Sequence, residues 1–221
     1  MTPPSGTRRA GASRRPPTTL ALTLALTLAL TLAACGTQPS RFYQLTAAEG
    51  GAAGAGGSVA AASRLVIGLD SVGLPDYLDR SEMVLRGAGS RLVVLEFDRW
   101  GGPIGSMATA VLARNLGAML ETAEVVTLPV ARDVPLSQVV EVRLDRFDAD
   151  EAGPAVLDAR WRIFDRHGER LSRFGRTVAR EPVAAPGDPG AVADALSRLL
   201  ARLAGDIAGA LRPGTGRVSG S

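Results

Sequence analysis

His167 is the only histidine in the 221-residue chain, so any imidazole chemistry would rest on it alone. It sits in Asp165-Arg166-His167-Gly168, a polar sequence that ends in glycine and reads as a solvated turn. A Ser-His-Asp triad needs a positioned nucleophile as well as an acid that orients the ring. Asp165 is close in sequence, but no serine lies in a nucleophile-elbow motif. Gly87-Ala88-Gly89 lacks the third glycine and the following helix of a dinucleotide loop, and reads instead as a hairpin turn. Metal coordination needs several converging ligands, whereas the carboxylates here alternate with arginines, as in Glu141-Val142-Arg143 and Asp158-Ala159-Arg160. Such charges suit cross-strand pairs on a sheet surface, each worth about 0.2–1 kcal/mol, or contacts with another subunit. No catalytic residue, metal site or cofactor site follows, and the chain reads as a binding or assembly component.

The remaining chemistry belongs to Cys35, the single cysteine. One thiol permits neither an intrachain disulfide nor a thiolate zinc site. Upstream, Arg8, Arg9, Arg14 and Arg15 occur without any acid, and an apolar Leu/Ala/Thr run follows from Leu20 to Leu32. The run is shorter than the roughly 20 residues a membrane-spanning helix wants. A basic start, an apolar middle and small residues before a cleavage point define a secretory signal over residues 1–34. Leu32-Ala33-Ala34-Cys35 resembles a bacterial lipobox. That resemblance implies diacylglycerol on the Cys35 sulfur, cleavage before it, and acylation of the new amine with chains such as palmitate. Two or three chains anchor durably where a single one binds reversibly. Gly36 in place of Asp, by resemblance to enteric lipoproteins, favours the outer membrane. Arg14-Arg15 is followed by Pro16-Pro17, which departs from a twin-arginine signal. Loss of the signal turns a formal net charge of +3 into −1, which removes the general argument for nucleic-acid binding.

These residues need a scaffold, and the hydrophobic pattern outlines one. Arg41–Leu45 suits a first strand, and residues 46–63 are mostly Ala, Gly and Ser, too small for a packed core and suited to a tether. Residues 64–212 form the expected body and 213–221 a tail. Strands are expected at 64–69, 81–86, 91–97, 125–128, 140–145, 155–163 and 171–179 from apolar runs and period-two alternation. Ala108, Val111, Leu112, Leu116, Met119 and Leu120 share one helical face over 103–121. A longer helix starts at Asp188-Pro189, where an acid can cap and a proline loses no hydrogen bond. Its stripe is Val192, Leu196, Leu199, Leu200, Leu203, Ile207 and Leu211, and Arg212-Pro213-Gly214 ends it. The pattern predicts an α/β (α+β) two-layer sandwich, with a mixed or mainly antiparallel sheet and two helices on one face.

One loop stands apart. Leu74-Pro75-Asp76-Tyr77-Leu78-Asp79-Arg80 is too apolar and aromatic for an indifferent connector, and is either folded onto the core or exposed as a contact site. Leu74, Pro75, Tyr77 and Leu78 are the candidate partner-binding residues. This loop, with the Met/Val segment that ends in Arg86, resembles the ABC-type transport auxiliary lipoproteins of the PqiC kind. So do Phe97-Asp98-Arg99-Trp100 with Pro103 and the following helix, the start Arg41-Phe42-Tyr43-Gln44-Leu45, and the pair Val140–Phe147 and Ala155–Phe164. Gly101-Gly102 and the length of the Ala/Gly stretch at 50–62 depart from the family pattern. The resemblance implies a non-catalytic lipoprotein on the periplasmic side of the outer membrane, serving a lipid-transport system built around an MCE-domain protein and supporting envelope integrity. A homo-oligomer is left open. A lipopolysaccharide-assembly lipoprotein and an envelope hydrolase are the alternatives.

Overall fold

The computed structural model describes residues 38–48, 65–120, 123–131, 133–166 and 169–212. The expected signal, Cys35, His167, most of the expected tether and the tail lie outside these residues. Within the unit Ser40–Ser221, eight strands form one mixed sheet: β1 (Arg41–Tyr43), β2 (Leu65–Leu69), β3 (Glu82–Arg86), β4 (Leu92–Trp100), β5 (Ala123–Thr127), β6 (Gln138–Asp150), β7 (Ala155–Asp165) and β8 (Leu171–Glu181). Two helices accompany them, α1 (Ile104–Met119) and α2 (Pro189–Leu211).

β6 is the spine. One of its edges pairs antiparallel with β7 along nearly its whole length, and β7 pairs antiparallel with β8. Its other edge is shared. Ile67–Leu69 of β2 run parallel to Gln138–Val140, and Leu85–Arg86 of β3 run parallel to Ala149–Asp150. β5 extends the β2 side in parallel, while β4 and then β1 extend the β3 side, antiparallel and parallel respectively. The longest ladders are thus antiparallel, yet four of the seven strand pairings are parallel, so the sheet is mixed.

The local reasons match the sequence patterns. Gly89 has φ +64°, a left-handed conformation that glycine adopts without a Cβ penalty, and the Gly87 N–H donates to the Arg91 carbonyl to close the β3–β4 hairpin. The Asp188 carboxylate accepts from the Ala191 N–H at 2.8 Å and caps α2. Every residue of the expected α2 stripe is buried, as are Ala108, Val111, Leu112, Leu116 and Leu120 of the other stripe. α1 packs along α2, and α2 lies over β6, β7 and β8. Trp161 ties the layers together. Its indole crosses Gly175, where a Cβ would sit 2.2 Å from the ring, and its N–H reaches the Thr177 hydroxyl at 3.3 Å. Thr177 in turn donates to Asp206 of α2 at 2.6 Å. The start of the expected tether is held as well: the Thr46 N–H donates to Ser197 and the Ala48 N–H to Asn115, each at 3.0 Å.

Candidate docking site

The division of β6 between two partners leaves a notch. Gly73 bridges to β6 at Val142 and Leu144, and β3 rejoins it only at Ala149. The loop at 74–80 spans this interval. Pro75 fixes an extended approach, and the Pro75 and Asp76 carbonyls accept from the Leu78 and Asp79 N–H groups, making a single 3-10 turn over Asp76–Leu78. Leu78 points into the hydrophobic core with 3% of its surface exposed. Leu74 rests on α1, close enough that a Cβ at Gly105 would lie 3.3 Å from it.

Tyr77 takes the polar role. Its hydroxyl donates to Asp148 Oδ2 at 2.7 Å and accepts from Arg86 Nη2 at 3.2 Å. The Asp148 carboxylate is buried and also accepts from Arg86 Nη2 at 2.9 Å and Arg146 Nε at 2.8 Å. The Arg86 guanidinium lies 5.7 Å from the centre of the Tyr77 ring. A bulge explains why a carboxylate lies here. Leu144 pairs with Ala159 and Arg146 with Asp158, so Asp145 is an extra residue in the ladder. The bulge turns Phe147 to the core side occupied by Val140, Val142 and Leu144, and turns Asp148 to the other side, beneath the loop.

Burial, and next the hydrogen bond to Asp148, push the Tyr77 phenol up to about 12. A folded-state value above the unfolded one near 10 means that the stabilisation is present below pH 10 and is lost as pH rises through about 12. Alkaline absorbance titration should therefore show a late phenol component at about pH 12. Tyr77→Phe should remove it, and an unchanged titration in that variant would assign the component elsewhere.

Beside the loop runs a groove of about 500 Å³, with Leu74, Asp76 and Asp79 on one rim and Pro103, just before α1, with Ser106 and Thr109 of α1 on the other. Thr109 steadies it by accepting from the Val72 N–H at 3.0 Å and donating to the Gly105 carbonyl at 2.8 Å. The four candidate residues thus divide. Tyr77 and Leu78 fix the loop from beneath, while Leu74 and Pro75 remain partly accessible next to the exposed Asp76 and Asp79. Asp148, Arg86 and Arg146, which hold Tyr77, were not legible as a group. The only trace was the break in β6 alternation between Leu144 and Phe147. Among the described residues no cluster of three or more His, Cys, Asp or Glu is arranged to hold a metal ion. The arrangement offers a preformed surface with an acidic rim. The expected cross-strand pairs lie elsewhere on the sheet: Glu141 with Arg162, Asp145 with Arg160 and Asp158 with Arg176, at 2.6–2.7 Å.

A mixed sheet carrying two packed helices and a locked loop defines a small α/β fold. Residues 43–208 match the family of the ABC-type transport auxiliary lipoprotein component, and the chain belongs to that family. Solved structures agree in fold. An uncharacterized protein superposes with a TM-score of 0.64 at 18% identity, over 79% of this chain and all of its own. Protein XCC0632 from Xanthomonas campestris superposes with a TM-score of 0.60 at 16% identity, over 77% of this chain and 93% of its own. No curated protein matches the sequence. Among the described residues no helix is long and apolar enough to cross a membrane.

Proposed function

We propose that this chain is a non-catalytic docking component of an ABC-type lipid-transport system built around an MCE-domain protein. Diacylglycerol and fatty acid on Cys35 hold it on the periplasmic face of the outer membrane. The observation that carries this reading is the loop at 74–80, rigidified from below by Tyr77 and Leu78 and presenting Leu74, Pro75, Asp76 and Asp79 beside a groove, in a member of a transport-auxiliary family. Fold alone does not dictate function; the preformed loop supplies the local argument.

The test separates docking from folding. Asp76 and Asp79 are exposed, so Asp76→Arg with Asp79→Arg should leave the melting curve unchanged while capture of the MCE partner weakens about tenfold, the equivalent of about 1.4 kcal/mol. Unchanged capture by a well-folded double variant would remove the loop from the interface. Tyr77→Ala with Leu78→Ala is a poorer probe, because Leu78 belongs to the core and stability falls first. For the anchor, Cys35→Ser should leave an unprocessed precursor that incorporates no labelled palmitate. Normal labelling of that variant would refute lipidation at this residue.

A further inference from the structure

We propose that the outer edge of β8 accepts an extended acidic strand from another protein, adding a ninth strand to the sheet. The proposal is independent of which transport complex the chain serves. Among the described residues β8 ends the sheet, for it pairs with β7 and with no other strand. In an antiparallel ladder each residue directs its N–H and C=O to one side only, and successive residues alternate. The phase is set at the β6–β7 hairpin, where the Asp150 N–H donates to the Pro154 carbonyl. From there Val156, Asp158, Arg160 and Arg162 turn toward β6, and the residues between them bond to Ala179, Thr177, Gly175 and Arg173 of β8. Phe174, Arg176, Val178 and Arg180 therefore aim their backbone polar groups outward. Arg202 of α2 confirms the phase by donating to the Arg180 carbonyl at 3.3 Å.

That contact closes the edge at Arg180, and Ser172 interrupts the ladder at the other end. Between them, Phe174, Arg176 and Val178 present three N–H and three C=O groups to which no other described backbone group bonds. Natural edges of this length are usually blunted by proline, inward charge or a covering segment. Here two of the three are apolar and exposed: Phe174 at 76% and Val178 at 59%. An added strand would gain hydrogen bonds and cover both side chains, which is how edge-adding partners obtain affinity and specificity.

Charge selects the occupant. The open face of β8 carries Arg176 and Arg180 and no carboxylate. Arg160 stands directly behind Arg176, and Arg162 behind Phe174, on β7. Arg180 has no ion pair among the described residues. Arg176, Arg160 and Arg162 each pair with a carboxylate of the sheet, Asp158, Asp145 and Glu141 respectively, yet β7 and β8 together hold four arginines against one carboxylate on this face. An incoming strand that alternates acids with apolar residues would pair with Arg180, share Arg176 with Asp158 and pack against Phe174 and Val178. A second β8 paired about Arg176 would place arginine opposite arginine, which is unfavourable.

The test uses the full chain in detergent and a labelled ten-residue peptide alternating glutamate with isoleucine, with its lysine counterpart as control. The glutamate peptide should bind, and the amides of Phe174, Arg176 and Val178 should then exchange at least tenfold more slowly. The lysine peptide should bind at least tenfold more weakly. Val178→Pro removes one outward N–H and leaves the β7 ladder bonds in place, so it should weaken binding at least tenfold, as should Arg176→Glu. If Val178→Pro disturbs folding, Arg176→Glu decides. Absence of protection at those three amides, or equal binding of both peptides, overturns the proposal. So does self-association of the chain that Val178→Pro or Arg176→Glu abolishes, because it gives the edge to a second copy.

Discussion

Asp148→Ala is expected to destabilise the protein by about 3 kcal/mol, the lower end for breaking a buried ion pair by removing one partner. Three donors converge on this carboxylate, from Tyr77, Arg86 and Arg146. Alanine would remove the shared acceptor, leaving Arg146 with Asp150 alone and Arg86 with only the Tyr77 hydroxyl. The loss should not reach the upper end, because Arg86 and Arg146 retain side-chain exposures of 32% and 24% and can partly rehydrate. Asp148→Asn keeps an acceptor for the Tyr77 hydroxyl and should cost less. Denaturant midpoints at constant slope give the comparison. A second readout belongs to the loop: with the carboxylate gone, the Tyr77 phenol should titrate below its value of about 12. A stability loss under about 1 kcal/mol, well below what a buried charge network commands, would show that the arginines find other partners.

Leu203→Ala is expected to cost about 2–5 kcal/mol, the range for emptying a buried leucine site. Leu203 is fully buried on the face of α2 that covers the sheet, one turn from the equally buried Leu199. Leu199→Ala should cost a similar amount. The two sites are neighbours on one helix face, so their cavities merge and the double variant should not show the simple sum. Thermal and denaturant unfolding of the three variants checks both points. Midpoints that match the parent would make α2 peripheral to the core.

The helices and most strands were legible because their patterns are local. The α2 stripe, the Asp188-Pro189 start and the glycine turn before β4 each depend on residues within a turn or two of one another. The cross-strand charge pairs followed from the alternation of β7 and of β6 up to its bulge at Asp145. The parallel pairings were harder, since nothing in Leu65–Leu69 says that its neighbours are residues 123–127 and 138–140. The candidate site was half legible. Its aromatic loop stood out by composition, but the Asp148 network depends on one extra residue at Asp145 that reverses the facing of everything after it. Alternation read without that bulge puts Asp148 in the wrong layer. The open edge of β8 was hidden for a related reason: a strand's sequence does not reveal whether it has one neighbour or two.

The shared edge of β6 also sets the order of assembly. β3 with β4 is a local hairpin and β2 pairs with β5 across 58 residues of chain, but each pair reaches the rest of the sheet through β6, some 70 residues beyond β2 in the chain. Loop-closure entropy must be met before such distant contacts repay it, which slows folding of topologies with many non-local pairings. A chain made or moved from its N-terminus at a finite rate thus carries two unjoined half-sheets until residues 138–165 follow. The hairpin of β6 and β7 is the step that makes them one molecule. Substitutions in that hairpin should slow folding, whereas substitutions at β1 or β5 should chiefly accelerate unfolding.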